Sequence, residues 1–349
     1  MEDEINIYCT KGQVFNNLEE ILNQENEQKL NEIYYYLYNK EIKTNKNTLI
    51  KKISKKLINS ETIYNIINNL YNDEYNLLEN IINNNGVLQD NNFKLCNCQL
   101  LICHGVLYLI NDNNNVYLVI PKEIIEIINK LDLDKIKNQV FKNTRLSDLA
   151  YSMINLYGIV KLEDYIDYCI KYYNYEDIKE INFLSVVLSG RFNHPVIYEI
   201  DDTKLITKEE FLEFGHYELL ESKFFQMDFN NFDKKDLTLS EILQYKDLSY
   251  YEKNKEANAL YKFLKKYDIE DDDINFLIGV IVETTRIDYM SGILDFKDIF
   301  LDFNINIDEN NFNELITLIN NLYYSIPVWG SEGWTMKEIL LFDNEYWNY

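Results

Sequence analysis

The sequence predicts a mainly α-helical protein in which winged-helix-like units with short β-hairpins precede an acidic helical bundle. Three observations carry this prediction. Only 3 Pro and 10 Gly interrupt 349 residues, whereas all-β folds need many tight turns. Apolar residues recur at helical spacing through most of the chain, and two short segments have the β-rich pattern of a hairpin. Apolar residues make up 46 % of the chain, which is ample material for packed cores.

The first helices are predicted before residue 90. The segment LNEIYYYLYNK surrounds Ile33 and Leu37 with tyrosines, and such a wide apolar surface predicts burial on more than one side. The segment NTLIKKISKKLI, residues 47–58, is amphipathic, and either Asn47 or Thr48 can cap its N-terminus. Two further helices are predicted in SETIYNIINNLY and YNLLENIINNNG.

A hairpin follows these helices. LLICHGVLYLI is a continuous apolar run that predicts a strand, NDNNN predicts a turn, and VYLVI predicts the second strand. Pro121 then opens a helix, PKEIIEIINKL. Three helices and a hairpin are the order of a winged-helix unit, so we predict a first domain over residues 1–138.

The pattern recurs in the next segment. Three helical stretches lead to a second short hairpin, VIYEI and KLI joined by a DDT turn, which predicts a second winged-helix-like domain over residues 139–235. Residues 236–349 have helical spacing throughout and predict an acidic helical bundle. Residues 201–349 contain 31 acidic and 14 basic residues, a net charge of −17.

The net charge of the chain is −24, which opposes binding of nucleic acid by the whole surface. The acidic start MEDEINIYCTKGQ has no apolar leader, and no window approaches the 18 apolar residues of a membrane span. Five cysteines at irregular spacing indicate reduced thiols. We therefore expect a cytoplasmic protein that does not bind a membrane.

Cys96, Cys98, Cys103 and His104 form the one cluster that resembles a metal site. Zinc sites usually have two-residue gaps within a cysteine pair, and here the first gap is one residue. The segment also has the pattern of a strand, in which Cys103 and His104 would face opposite sides. Neither they nor His194 or His216 lies in a hydrolase signature, and no phosphate loop or dinucleotide fingerprint occurs. We expect no metal, no cofactor and no catalytic residues.

The sharpest charge feature is the lysine face of the helix at residues 47–58. Residues 40–56 contain seven lysines and one glutamate, a local net charge of +6. Two interpretations are open: a surface that follows phosphates, or a solvated helix face enriched in lysine by an AT-rich genome. The candidate nucleic-acid-binding residues are Lys51, Lys52, Lys55 and Lys56.

The sequence WGSEGWTMKE near the C-terminus predicts a docking turn. Gly330 and Gly333 permit turn conformations, and Thr335 with Glu338 forms a capping box that opens the last helix. Trp329 and Trp334 either close the core or anchor a partner. The candidate partner-binding residues are Trp329, Gly330, Gly333, Trp334 and Glu338.

Two segments of the chain resemble segments of a protein family. LYGIVKLEDYIDYCIKYY and PVWGSEGWTMKEI are similar to segments of uncharacterised helical proteins of low-GC bacteria, some with a Rho-N-like or winged-helix N-terminal region and some ending in a zinc-binding SEC-C motif. The chain has no Cys after Cys169, so the SEC-C motif and its metal are not inherited. The resemblance implies a fold more than a function. Its matching residues are Leu156, Tyr157, Gly158, Trp329, Gly333, Trp334, Thr335 and Glu338.

These observations favour a non-enzymatic interaction or regulatory protein with a protein partner. One alternative is a nucleic-acid-binding protein that acts through the Lys-rich N-terminal helix. Another is an acidic nucleic-acid mimic that occupies a basic protein through residues 201–349.

Overall fold

The computed structural model describes residues 8–95, 98–175, 195–200, 203–208, 233–247, 250–267, 269–302, 305 and 308–346. It is mainly helical, with two small sheets, as the composition predicts. The chain divides into two units, with Leu146 in the first and Ser147 in the second. The sequence predicted three domains, with boundaries at residues 138 and 235.

The N-terminal unit contains the helices that the apolar spacing predicts before residue 90. Asparagine side chains cap four of them by accepting a backbone N–H from the first turn, at Asn17, Asn26, Asn45 and Asn59. Its helices are α1 (Leu18–Gln24), α2 (Glu27–Tyr38), α3 (Lys46–Leu57), α4 (Ser60–Asn68), α5 (Asn72–Asn83), α6 (Gln99–Cys103) and α7 (Lys122–Ile128).

The first sheet has four short strands in the order β1-β3-β4-β2. The predicted hairpin is confirmed as an antiparallel pair, with Leu109 opposite Leu118. A second antiparallel strand joins one edge and a parallel strand joins the other. The strands are β1 (Cys9–Lys11), β2 (Val87–Gln89), β3 (Tyr108–Asp112) and β4 (Asn115–Val119).

The run LLICHGVLYLI was predicted as one strand, and that prediction is wrong for its first half. Helix α6 occupies its start, and only the part from Tyr108 onward is a strand. Gly105 separates the two with a left-handed φ of 69°. A Cβ there would lie 2.9 Å from the Ile33 side chain, so glycine is needed both for the turn and for the close approach of α2.

The core of the N-terminal unit is aliphatic and draws on every helix from α1 to α7. Helix α2 contributes Leu30, Ile33, Tyr34 and Leu37 at helical spacing. Tyr35 and Tyr36, which the sequence predicted to be buried with them, are 46 % and 49 % exposed. Helix α2 is therefore buried along one face, and two of its tyrosines lie at the surface.

The long helix α8 (Leu133–Tyr157) contributes residues to both units. The C-terminal unit continues with a three-stranded sheet of order β5-β7-β6, whose β6–β7 pair confirms the second predicted hairpin. The helix predicted after β7 lies outside the described residues. The elements are β5 (Val160–Lys161), α9 (Leu162–Tyr173), β6 (Pro195–Ile200) and β7 (Thr203–Lys208).

Five α-helices follow in the described part of the C-terminal unit. Two stretches that were predicted as separate helices form one continuous helix of 32 residues, Asp271–Asp302. Apolar residues of this helix pack with those of Lys255–Leu264 before it and Glu309–Ser325 after it in one largely aliphatic core. The helices are α10 (Leu239–Ile242), α11 (Lys255–Leu264), α12 (Asp271–Asp302), α13 (Glu309–Ser325) and α14 (Met336–Tyr346).

In the described part of the chain, every helix is too short or too polar to cross a lipid bilayer.

Candidate functional site

Helix α3 holds the lysine face in position. Its apolar side, which includes Leu49, Ile53 and Leu57, is buried in the core of the N-terminal unit. Because 3.6 residues make one turn, the lysines between these positions project from the opposite side. The Asn45 side chain caps the helix by accepting the Thr48 N–H at 2.9 Å, two or three residues before the predicted caps. The lysine face comprises Lys51, Lys52, Lys55 and Lys56, of which Lys51 and Lys55 are exposed and the others half-buried.

None of these four ammonium groups forms an ion pair with a described residue. Two of them lie over tyrosine rings instead: Lys52 Nζ is 5.8 Å from the Tyr34 centroid, and Lys56 Nζ is 5.5 Å from the Tyr38 centroid. The two rings stack with their centroids 4.4 Å apart, and the Tyr38 hydroxyl donates to the Lys52 carbonyl at 3.0 Å. Cation–π contact orients an ammonium group without neutralising it.

The lysine face borders a cleft of about 680 Å³, which we call the Lys–Tyr cleft. Helices α2, α3, α4 and α6 all contribute to its wall. The exposed Tyr36 and the lysines Lys55 and Lys56 line the same cleft. The wall combines two lysines and one glutamate with aromatic surface and amides. Its polar and aromatic residues are Tyr36, Tyr38, Lys55, Lys56, Asn59, Glu61, Thr62, Asn65, Asn69 and His104.

His104 is a neutral hydrogen-bonding group in this cleft. Burial lowers its pKa, and a hydrogen bond to the Leu100 carbonyl opposes the shift only in part. The Nδ1 atom lies 2.9 Å from that carbonyl oxygen, so Nδ1 carries the proton and Nε2 is an acceptor. The imidazole ring is 5.5 Å from the Tyr36 ring.

Cys103 and His104 do not form a nucleophile and base. Burial raises the pKa of the Cys103 thiol to about 11, and the thiol hydrogen-bonds with Tyr36. A neutral thiol is a weak nucleophile, and the Nδ1 atom of His104 is already engaged by Leu100. The two residues lie at the end of a helix and not in the strand that the sequence predicted.

Within the described ranges, no three His, Cys, Asp or Glu side chains converge as metal ligands. Cys98 is buried, and its sulfur lies 3.4 Å from the Leu95 carbonyl oxygen. Cys96, His194 and His216 lie outside the described residues.

The Trp-Gly turn lies in the interior of the C-terminal unit. Trp329 is 1 % exposed, its backbone N–H donates to the Arg286 carbonyl at 3.0 Å, and its indole N–H donates to the Asn155 carbonyl at 3.2 Å. Gly330 and Gly333 are also buried, with left-handed φ values of 83°. The core alternative therefore accounts for these residues, because a buried ring is not an exposed anchor.

Trp334 and Glu338 lie at the margin of this turn. The Trp334 indole N–H donates to the Asp233 carbonyl at 2.9 Å. The capping box is confirmed: the Thr335 N–H donates to Glu338 Oε2 at 2.8 Å, and the Glu338 N–H donates to the Thr335 hydroxyl at 3.2 Å. Glu338 also binds Lys235 Nζ at 2.6 Å.

The two segments that carry the family resemblance pack against each other. A Cβ on Gly158 would lie 2.3 Å from the Trp329 ring, and one on Gly333 would lie 3.2 Å from the Tyr157 ring. Gly158 also has a left-handed φ of 81°. The LYG step and the Trp-Gly turn are therefore two halves of one packing arrangement, which gives a physical reason for them to occur together.

Sequence reasoning missed the aromatic half of the cleft. The signal was present in α2, since Leu30, Ile33, Tyr34 and Leu37 follow helical spacing and leave Tyr36 off that stripe. The contribution of His104 could not be predicted from sequence, because the segment that forms helix α6 was predicted as a strand.

Comparisons of this chain with protein-family models, with curated proteins and with solved structures found no match. The family resemblance therefore stays a prediction.

Proposed function

We propose that this protein is a non-catalytic binding protein whose N-terminal unit holds single-stranded nucleic acid along the lysine face and in the Lys–Tyr cleft. The observation that carries the proposal is the cleft shared by unpaired lysines and an exposed tyrosine. Lysines follow the phosphates of a strand, and aromatic rings stack on its bases.

The charge distribution favours a single strand over a duplex. A chain with a net charge of −24 repels a long polyanion wherever the surface is not locally basic. A patch of four lysines is about as wide as one Debye length at physiological salt, so it attracts a short stretch of backbone while the distant acids are screened. A flexible strand can enter a cleft between helices, and a duplex cannot.

The cleft supplies groups that can contact bases. Its volume lies in the range of about 300–1,000 Å³ typical of small-ligand sites, so it has room for a nucleotide. The amides of Asn65 and Asn69 and the Nε2 atom of His104 offer donors and acceptors to base edges. Asn59 is committed to capping α4, since its side chain accepts the Thr62 N–H at 3.1 Å.

The winged-helix-like interpretation of this unit belongs to the same proposal. The order of helix α5, strand β2, helix α6 and hairpin β3–β4 supports it, because the three strands form an antiparallel sheet with β4 in the centre. Winged-helix units serve both nucleic-acid and protein recognition, so the argument for nucleic acid depends on the cleft and not on the topology.

The test is fluorescence anisotropy with a labelled random-sequence single-stranded RNA and a labelled duplex DNA, titrated at about 50 and about 200 mM salt. The test variant replaces Lys51, Lys52, Lys55 and Lys56 with Glu. The matched control makes the same change at four exposed lysines of the same unit that lie outside the cleft and the lysine face: Lys94, Lys122, Lys130 and Lys135.

We expect single-stranded RNA to bind more tightly than the duplex, and the affinity to fall steeply with salt. The test variant should lose detectable binding, since each lost phosphate contact removes about 0.7 from the slope of log affinity against log salt. The control variant should keep a salt slope close to that of the unchanged protein. Equal losses in the two variants would show that only net charge matters and would overturn the proposal.

A further inference from the structure

Tyr36 also lines a second cavity of the N-terminal unit, with a volume of about 640 Å³. Tyr8 and Tyr35 share its wall, so three phenol rings surround it. Helix α2, the segment after it and helix α6 supply the remaining lining. We call this space the Tyr–Glu cavity.

The charge of this cavity is opposite to that of the Lys–Tyr cleft. Glu32 and Glu41 line it, and the lining contains no Lys, Arg or His. Both glutamates are exposed, and neither forms an ion pair with a described residue. Glu32 accepts a long hydrogen bond of 3.4 Å from the Gln28 amide. Two carboxylates therefore face the cavity without a counter-ion.

The other polar groups of the wall are uncharged at neutral pH. Burial raises the pKa of the Cys103 thiol to about 11, and burial with the nearby Cys103 raises the pKa of the Tyr8 and Tyr36 phenols. The phenols and the thiol therefore stay neutral, and the two carboxylates supply the charge of the cavity. A neutral phenol face beside a carboxylate is the surface that attracts an organic cation.

The amide side chains of the wall have partners of their own or are enclosed by protein. The Asn31 amide nitrogen donates to the Glu27 carbonyl at 2.8 Å, and the Gln28 amide donates to Glu32 at 3.4 Å. Gln99 Oε1 is buried and has no partner in the described structure, so it is not exposed to a ligand in the cavity. The two carboxylates are therefore the charged acceptors that are open to a cation.

We propose that the Tyr–Glu cavity binds the guanidinium group of an arginine side chain in an exposed peptide segment of a partner protein. The cation would stack on the tyrosine rings and pair with Glu32 or Glu41.

Guanidinium fits these groups better than ammonium. It is planar, it stacks on aromatic rings, and it carries five N–H donors for separated acceptors, whereas an ammonium group is a compact, strongly hydrated point charge. The cavity also has room for more than one side chain, since its volume of about 640 Å³ lies in the range of sites that hold drug-sized ligands. An arginine with its flanking peptide fills such a space.

The test uses isothermal titration calorimetry with the full chain and three capped pentapeptides that carry arginine, lysine or citrulline at the centre and glycine elsewhere. Citrulline has the shape of arginine without its charge. Agmatine, a free guanidinium compound, is titrated separately. The test variant carries Glu32→Gln and Glu41→Gln. The control carries Glu19→Gln and Glu126→Gln, two exposed glutamates of the same unit outside the cavity.

We expect the arginine peptide to bind most tightly, the lysine peptide more weakly and the citrulline peptide not at all. The test variant should lose about tenfold or more in arginine-peptide affinity, while the control retains it. Equal binding of the arginine and citrulline peptides, or equal losses in the two double variants, would overturn the site.

The agmatine arm separates the two sources of a guanidinium group. Agmatine that binds as tightly as the arginine peptide would overturn the peptide as the ligand. The two glutamates do not line the Lys–Tyr cleft, so the test variant should bind single-stranded RNA as the unchanged protein does. Failure of this inference is therefore distinguishable from failure of the proposed function.

Discussion

Two of the regions in which lysines contact aromatic rings have opposite electrostatic outcomes. In the C-terminal unit, Lys234 lies 5.7 Å from the Tyr157 centroid and Lys235 lies 5.1 Å from the Trp334 centroid. Each also binds a carboxylate, Asp164 for the first and Glu338 for the second. In the N-terminal unit, the lysine face makes the same ring contacts and has no described carboxylate partner.

The difference separates structural lysines from available ones. A paired and partly buried lysine has its charge neutralised within the fold, so it contributes to the packing of that unit. An unpaired lysine over a ring keeps its charge for a ligand and contributes little to stability. The same residue types therefore support a core in one unit and a candidate binding surface in the other.

The largest effect that we expect follows from Trp329→Ala. Removal of this buried ring should lower the free energy of unfolding of the C-terminal unit by about 4 kcal/mol, because a large cavity replaces it. Urea denaturation followed by circular dichroism measures the change. Single-stranded RNA binding below the unfolding transition should be unchanged.

Two comparisons sharpen this prediction. Trp334→Ala should cost less, since that ring is only partly buried. Gly158→Ala should destabilise the unit although it adds only a methyl group, because the new Cβ would clash with Trp329 and the residue has a positive φ. A stability loss below about 1 kcal/mol for Trp329→Ala would contradict its place in the core.

A smaller effect is expected for Lys29, a buried lysine of the N-terminal unit that has a carboxylate partner. Lys29 Nζ lies 3.1 Å from Glu25 Oε1, and both side chains are buried. Glu25→Gln leaves the ammonium group without a counter-ion and should lower the free energy of unfolding by about 3 kcal/mol. Urea denaturation of this variant, compared with the exposed Glu27→Gln, measures the cost.

The double variant Glu25→Leu with Lys29→Met separates the pair from its neighbours. Replacement of both charges by apolar groups should recover most of the stability that Glu25→Gln loses. A double variant as unstable as the single one would show that the contacts of Lys29 with Tyr8 and Thr10 matter more than the ion pair.

The lysine face could be predicted from sequence because one helix contains the whole pattern. Apolar and basic residues alternate at helical spacing within α3, so one segment defines both the buried and the exposed side. The cap was misplaced because several polar residues precede the helix and only Asn45 has the required geometry. The local pattern therefore predicted the helix, whereas its first residue depends on the hydrogen bond that the Asn45 side chain accepts.

The cleft could not be predicted in the same way. It requires Tyr36, Lys56 and His104 to meet, and these come from three helices. Helix α6 was hidden because a short apolar run has no polar positions from which to tell helical from strand spacing. The charge of the Tyr–Glu cavity was equally hidden, since Glu32 and Glu41 are two acids among 58 until the fold brings them beside tyrosines.

Tyr36→Leu tests whether the Tyr36 ring contributes to nucleic-acid binding in addition to the charge of the lysine face. Loss of one stacked base should weaken single-stranded RNA binding by about tenfold, within the range of about 1–3 kcal/mol per stacking contact. Tyr36→Phe keeps the ring and should keep the affinity. Fluorescence anisotropy measures both variants. Stability should change little, because the side chain is 49 % exposed. Equal losses in the two variants would assign the effect to the hydroxyl.

The smallest effect that we expect is the loss of the Glu338–Lys235 ion pair in acid. Burial raises the pKa of Glu338, but hydrogen bonds from Lys235 and Thr335 outweigh it and hold the pKa below its ordinary value. A lowered folded pKa means that Glu338 stabilises the C-terminal unit fully above its unfolded pKa of about 4.3, and that this stabilisation disappears as the pH falls through the folded pKa. Because the side chain is 35 % exposed, solvent screening limits the effect to about 0.5 kcal/mol. Glu338→Gln should therefore lower the melting temperature slightly at pH 7 and leave it unchanged below about pH 3, whereas Glu199→Gln should change neither. A difference that persists in acid would show that the loss is one of packing and not of charge.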